Sequence, residues 1–472
     1  MYSVQALLRP GEALQAAREA PGAAQAVSGE LDAAAAFEWR DFMTSNWDDS
    51  AKEEWLRSKG IDILRGSGSI ADHGRVVVDD REHSCEHIVV ATGSEAIMPP
   101  VPGLAELDGI WTNRGATELR EVPERLLVLG GGPVGVEMAQ AVFRMGASVA
   151  LVEGMDHLLP REPKPLGDAL GEALAAEGLE LHFGRHASAV RREDDGYVLE
   201  LPDGKELRGD RLLVATGRRP RTEGIGLENV DVSPKKGGIP VDECMNVTDG
   251  VWAIGDVTGV WPLTYVGKYQ GRVAAANILG RRREANYEAV PRVVFTDPQA
   301  VAVGAAEGAI TATAPISEVP RTSTYTRSYA EKNGFLTLVS DGERLTGAYA
   351  LGPEAGEWRA GNGRHPCGRP APGAERRDPA VSHLFGDLPA RAHRARVEGP
   401  DGGVGGGRLA AVADLTKEEL TRLLREAEKA HGKYETEELG GVRDEEWAPW
   451  YAEFIVKALR EDAPRDDPSG GT

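Results

Sequence analysis

The chain has 472 residues, too many for one hydrophobic core, so about two to four domains are expected, and its 41% hydrophobic content is enough to pack them. The formal net charge of -21 argues against nucleic acid and anionic membranes as partners, since both call for a basic face. No apolar run approaches the ~20 residues of a membrane helix and no secretory leader opens the chain, so a cytoplasmic protein is expected.

Residues 1 to about 60 are rich in Ala and Glu, and Gly11–Ala20, Leu31–Thr44 and Asp48–Lys59 read as helices, the last ended by Gly60. Strand-like runs follow at Ile61–Leu64, Arg75–Val78 and His87–Ala91, separated by turn residues. Pro99 to Gly103 (PPVPG) is a linker that fits neither a helix nor a central strand. Beyond it lie a strand at Leu126–Leu129, an amphipathic helix, and strands at Val149–Val152, Leu179–Phe183, Tyr197–Leu201 and Leu212–Ala215. The character changes again from Gly238. Val266–Leu279 reads as a helix, and Pro291 opens a strand-rich region ending near Gly356. Residues 359–408 show no period of 2 or 3.6 and are expected to be disordered. Order is expected to return in a helical hairpin over 409–472. There Thr416 and Glu419 make a capping box, and Leu420, Leu423, Leu424 and Ala427 share a face.

The chemistry concentrates at residues 126–153. An apolar strand runs into Gly130-x-Gly132-x-x-Gly135, a helix follows, and a second apolar strand ends on Glu153. Gly130 permits the tight turn, Gly132 lets backbone approach a pyrophosphate, and Gly135 lets helix and strand pack closely. Pro133 and Val134 open the helix, whose free N–H groups suit phosphate. Glu153, about 20 residues on, can accept from an adenosine ribose 2′-OH. The pattern predicts a dinucleotide site. With no Arg or Lys from 154 to 160, a 2′-phosphate would meet a carboxylate and no cation, which favours NAD over NADP.

Two near-copies of one motif flank this unit. Ile88–Val90 leads into Ala91-Thr92-Gly93, and Leu212–Val214 leads into Ala215-Thr216-Gly217. Each is read as a strand end turning sharply beside a ligand. Further on, an apolar strand reaches Gly255-Asp256, where the carboxylate could hold a flavin sugar-alcohol hydroxyl or cap a helix.

In this order the motifs resemble the pyridine nucleotide–disulfide oxidoreductase family, the two-dinucleotide flavoproteins that include dihydrolipoyl dehydrogenase, glutathione reductase and mercuric reductase. The resemblance covers residues 5 to about 358 and includes Pro291-Arg-Val-Val-Phe-Thr-Asp-Pro298. It implies an α/β fold with two Rossmann-like domains. A FAD domain would occupy residues 1–118 and 238–288, with an NAD domain inserted at 119–237 and a partial α+β dimerisation domain at 289–358. It assigns Gly130, Gly132, Pro133, Val134, Gly135, Glu137, Glu153 and Gly217 to NAD, with Glu137 near the nicotinamide–flavin contact. It assigns Ala91, Thr92, Gly93, Gly255 and Asp256 to FAD. A small-molecule or small-thiol substrate and a homodimer come with it.

The chain also departs from the family. Only Met1 to Ala6 precede Leu7-Leu-Arg-Pro10, where the family has a glycine-rich FAD phosphate loop and a redox cysteine pair ahead of Ile-Pro-Ser-Lys. Cys85, Cys244 and Cys367 are far apart and read as plain thiols. The family's C-terminal His–Glu pair falls in the unpatterned stretch, so no catalytic residue is assigned. A frameshift accounts for both losses. Met1-Tyr-Ser-Val-Gln5 can be encoded ATGTATTCCGTCCAA, which one base later reads Cys-Ile-Pro-Ser; Asp378–Asp387 has similar codon choices that restore an interface motif. The dimer is doubtful on the same ground.

The expected activity is therefore FAD-dependent NAD(P)H oxidation, impaired here by the missing cysteines and phosphate loop. The alternatives are a non-catalytic NAD-binding remnant or a residual NADH diaphorase. His83/His87 and His182/His186 have HxxxH spacing, but both pairs fall at strand ends without the HExxH glutamate, so no metal is expected.

Overall fold

The computed structural model describes residues 2–357 except 195, 319–333 and 344. The expectations for 359–408 and 409–472, and Cys367, lie outside the described residues. The fold is α/β, with parallel strand pairing in its central sheet and between Ile88–Val90 and Val251–Ala253.

The N-terminal layer is three helices, Tyr2–Glu19, Ala33–Met43 and Ser50–Ser58. The first begins nine residues before the expected Gly11 and runs through Pro10. Burial of Ala6, Leu7 and Leu8 overrides the proline's missing donor. Gly11 sits where a Cβ would meet the Arg144 side chain at 2.9 Å, so it marks close contact with the Pro133–Arg144 helix. Asp32 caps the second helix by accepting from the Ala35 N–H at 3.1 Å. From that helix Arg40 is fully buried, and its Nη1 donates to the carbonyls of Thr117 and Leu119 at 2.9 and 2.8 Å. That bond pair ties the helical layer to the segment leading into the central unit.

Ile61–Leu64 is not a strand; Ile61 and Leu64 are exposed and nothing pairs with the segment. A strand needs a partner, and the first hairpin forms where Gly74, at φ +86°, turns the chain. The resulting meander is Gly68–Asp72, Arg75–Val78 and Arg81–Ser84. Ile88–Val90 then pairs in parallel with Val251–Ala253, which pairs antiparallel with Asn246–Thr248. Ile88–Val90 is the edge of this sheet among the described residues, and its Val89 side chain is 42% exposed.

The central unit is a four-stranded parallel sheet in the order Arg211–Val214, Arg125–Leu129, Ser148–Val152, Glu180–His182. Strand alternation divides its core in two. Leu126, Val128, Val149 and Leu151 pack with Val136, Met138, Leu166 and Leu170 of the Pro133–Arg144 and Lys164–Glu177 helices. Leu127, Leu129, Ala150 and Val152 pack on the opposite face with Val190, Tyr197, Leu199 and Leu207. Those belong to an antiparallel meander, Ala189–Glu193, Gly196–Glu200 and Glu206–Gly209. Its outer strands escape sequence reading because at least half of each is charged and each buries one residue.

The strand-rich end forms a five-stranded antiparallel sheet in the order Arg292–Val294, Gln299–Gly304, Leu345–Gly352, Phe335–Ser340, Ile310–Pro315. Among the described residues no helix is long and apolar enough to cross a membrane.

Candidate nucleotide-binding site

Each glycine of the 130–135 loop has a distinct surrounding. Gly130 ends its strand at φ +104°, and a Cβ there would lie 2.5 Å from the Ala215 carbonyl oxygen. A Cβ on Gly135 would lie 1.9 Å from the Gly130 carbonyl oxygen, so helix and strand touch at that point. Gly132 faces open space, with nothing within 4 Å of where its Cβ would be, and its backbone is extended. Pro133 occupies the first helical turn, where its missing N–H matters least. The N–H groups of Val134 and Gly135 belong to that same turn and have no partner within the helix. An anion in front of Gly132 would meet them and the positive end of the helix dipole.

Glu153 is buried at the end of the second strand. Its Oε2 accepts the Gly131 N–H at 2.6 Å and its Oε1 accepts the Met155 N–H at 2.8 Å. The carboxylate is thus fixed in the glycine loop itself, with lone pairs left for a ribose hydroxyl. Two neighbours were not foreseen. The Arg185 N–H donates to the Glu153 carbonyl at 3.1 Å, and the His186 ring lies over Gly154, where a Cβ would be 2.1 Å from its Cε1. One imidazole, that of His186, therefore reaches Gly154 from a segment some 30 residues away, while Arg185 reaches Glu153 only through its backbone. The Arg185 guanidinium is paired with Asp203.

Glu137, Gln140 and Arg144 form one face of the glycine-loop helix, and all three meet residues 295–297. Glu137 accepts the Phe295 N–H at 2.8 Å, and Arg144 reaches the Asp297 carboxylate at 3.0 Å and also pairs with Glu177. Burial pushes the Glu137 carboxyl up to about 7, against the opposing pull of the Phe295 N–H.

The two Ala-Thr-Gly motifs hold each other. The Thr92 hydroxyl donates to the Arg221 carbonyl at 2.7 Å, and the Thr216 hydroxyl donates to the Ile97 carbonyl at 3.1 Å. The Arg221 N–H donates to the Gly93 carbonyl at 2.9 Å, and the Ile97 N–H donates to the Gly217 carbonyl at 3.0 Å. Between them Ser94–Ala96 and Arg218–Pro220 form a two-stranded antiparallel ribbon. Both threonine hydroxyls therefore serve a reciprocal clasp in addition to any role beside a ligand.

Gly93 and Gly255 follow adjacent parallel strands at φ +74° and +76°, each with nothing within 4 Å of its Cβ position. The Asp256 side chain caps no helix; its Oδ2 accepts the Ser94 hydroxyl at 2.5 Å. Buried Gln270 supports the turn by accepting the Gly255 N–H at 2.6 Å.

Cys85 is exposed and Cys244 half-buried, and both are free thiols. The Cys244 thiol is pushed up by desolvation and by Asp242, away from thiolate reactivity. Among the described residues no three His, Cys, Asp or Glu side chains gather as a metal site. His182 instead contacts the Glu180 carboxylate at 2.9 Å.

Residues 12–271, more than half of the chain, match the family described as pyridine nucleotide-disulphide oxidoreductase. A dihydrolipoyl dehydrogenase of Haloarcula marismortui is 31% identical over 374 residues, covering 75% of this chain and 78% of that protein. A mercuric reductase of Acidithiobacillus ferrooxidans is 37% identical over 311 residues, covering 63% and 56% respectively. In fold, the HOCl-induced flavoprotein disulfide reductase RclA of Escherichia coli aligns with a TM-score of 0.66 at 24% identity, over 76% of this chain and 81% of that one. LpdA of Mycobacterium tuberculosis aligns with a TM-score of 0.65 at 25% identity, over 75% and 81%. By sequence match and by fold, the chain belongs to the pyridine nucleotide-disulphide oxidoreductase family, whose members are oxidoreductases that use FAD and a pyridine nucleotide.

Proposed function

We propose that the chain binds NADH at the 130–153 loop and holds FAD weakly, as a member whose thiol–disulfide step is impaired. The observation that carries this reading is the open approach to Gly132, facing a helix N-terminus and flanked by the fixed Glu153 carboxylate. Glu153 would take an adenosine ribose hydroxyl, and the first-turn N–H groups would take the pyrophosphate. Asp256, Gly93 and Gly255 would hold the flavin's sugar-alcohol chain. When bound, FAD would accept a hydride from the nicotinamide and pass electrons to a disulfide or similar small acceptor. The helix carrying Glu137 would set the nicotinamide end of the site against the 295–297 loop.

Impairment is supported by two facts. The three cysteines include no local pair, so this chain by itself offers no dithiol to relay electrons. The Ile88–Val90 strand is a bare edge among the described residues, so the sheet beside the flavin cleft is narrow. The five-stranded sheet would be the dimerisation domain, and the boundaries near 118, 237 and 288 would separate the FAD, NAD and interface parts. The bare edge also favours a second reading, an NAD-binding protein without turnover.

The test is to purify the protein, record flavin absorbance, and titrate NADH with and without added FAD. Saturable NADH binding, substoichiometric flavin and no lipoamide reduction are expected. Stoichiometric flavin together with NADH-dependent lipoamide reduction would refute the impairment. Absence of NADH binding would refute the whole reading.

A further inference from the structure

The two residues that follow the paired Ala-Thr-Gly motifs differ, and the difference builds a bridge. Ser94 follows Gly93, and Arg218 follows Gly217. The Arg218 guanidinium donates from Nε to the Ser94 hydroxyl oxygen at 2.9 Å and from Nη2 to the Ser94 carbonyl at 2.7 Å. Its Nη1 donates to the Asn113 Oδ1 at 2.8 Å, at the start of the Asn113–Thr117 helix. The Ser94 hydroxyl in turn meets the Asp256 Oδ2 at 2.5 Å.

Proton direction along this chain is not free. A guanidinium can only donate, so the Ser94 oxygen must accept from Arg218. The single Ser94 hydroxyl hydrogen is then left to point at Asp256, which as a carboxylate can only accept. The adjacent positive charge also polarises that O–H and strengthens its bond to the carboxylate. One oxygen of Asp256 is thereby held by Ser94, leaving Oδ1 for a ligand.

We propose that Ser94 and Arg218 are positioning residues for Asp256, a relay by which the strand leaving the NADH-binding unit orients the carboxylate that holds the flavin's sugar-alcohol chain. The relay runs across three segments: Ser94 lies on the strand entering the central unit, Arg218 on the strand leaving it, and Asp256 in the short helix Gly255–Thr258 that follows the Val251–Ala253 strand. It rests on the assignment of Asp256 to the flavin.

The experiment measures FAD binding by quenching of flavin fluorescence, with NAD+ binding followed separately by calorimetry, in the full chain. Ser94→Ala and Arg218→Ala are each expected to weaken FAD binding about tenfold, the effect of losing one charge-assisted hydrogen bond. Ser94→Thr keeps a hydroxyl and is expected to bind within about threefold of the parent protein, a difference of well under one such bond. The double variant S94A/R218A is expected to be no weaker than Ser94→Ala alone, because both act through one carboxylate. NAD+ binding is expected to stay within about twofold in every variant, since none touches the 130–153 loop. Unchanged FAD affinity in the single variants, additive losses in the double, or failure of Ser94→Thr to rescue would overturn the relay and leave the flavin reading intact. If the parent protein binds NAD+ but quenches no flavin, the flavin assignment of Asp256 fails, and the relay with it.

Discussion

Gln140 and Asp297 exchange a reciprocal pair of hydrogen bonds: the Gln140 Nε2 donates to the Asp297 carbonyl at 2.7 Å, and the Asp297 N–H donates to the Gln140 Oε1 at 2.8 Å. A fully buried side-chain amide thus imitates a strand partner for one residue of backbone. It fixes the glycine-loop helix to the five-stranded sheet. Gln140→Leu would remove both bonds to the Asp297 backbone and place an apolar side chain among the Arg144, Glu177 and Asp297 charges. A loss of about 2–4 kcal/mol in unfolding free energy is expected, read by urea denaturation. An unchanged midpoint would show that water reaches the loop.

Glu137, on the same face, gives the stability a pH dependence. Its carboxyl is raised to about 7 in the fold from an ordinary 4.5. A raised acid favours the folded state most below its unfolded value, and that advantage fades as pH climbs from about 4.5 to 7. The parent protein should therefore lose about 3 kcal/mol relative to Glu137→Gln over that window, and the difference should level off above it. Denaturation curves of the two proteins at five pH values decide the matter. Parallel pH profiles would mean that the carboxyl titrates in the fold as it does in the unfolded chain.

The glycines separate folding from binding. Gly135→Ala places a methyl 1.9 Å from backbone oxygen, where no flexible side chain can give way, so the protein should express poorly or melt far below the parent. Gly132→Ala meets no atom and keeps an allowed backbone, so its melting temperature should match the parent. Its NADH affinity should fall by about tenfold or more, because the methyl stands in the path of the pyrophosphate. Equal melting losses for both variants would contradict the different surroundings of the two glycines.

In the proposed function Glu153 sets nucleotide choice. Glu153→Ala removes the acceptor for the ribose hydroxyl and the negative charge that opposes a 2′-phosphate. The ratio of NADH to NADPH affinity should fall by about tenfold or more. A ratio that does not move would transfer discrimination to Arg185 and His186, which border the same residues.

The 130–153 unit was legible from sequence because every part of it is local. The turn, the packing glycine, the helix and the acid all lie within one short stretch, and strand alternation is visible in Leu126–Leu129. Ile61–Leu64 misled because apolar residues show strand tendency but not the presence of a partner. The clasp was hidden for a related reason. Thr92 with Arg221, and Thr216 with Ile97, are separated by well over a hundred residues, and no spacing rule links them. The same holds for Gln140 with Asp297, and no spacing rule links His186 to Gly154, some 30 residues apart. What the sequence showed of Asp256 was a carboxylate at a strand end; its hydrogen bond with Ser94, and that of Ser94 with Arg218, join residues more than a hundred positions apart.

The clasp also bears on how such a protein could be assembled over time. The central unit enters through Ser94–Ala96 and leaves through Arg218–Pro220, two strands paired side by side. Entry and exit thus lie next to each other, the geometry that lets a module be grafted into a host fold without stretching either. A different cassette with the same neck could be exchanged at this point only if it also matched the host where Gly11 meets Arg144 and where Gln140 meets Asp297.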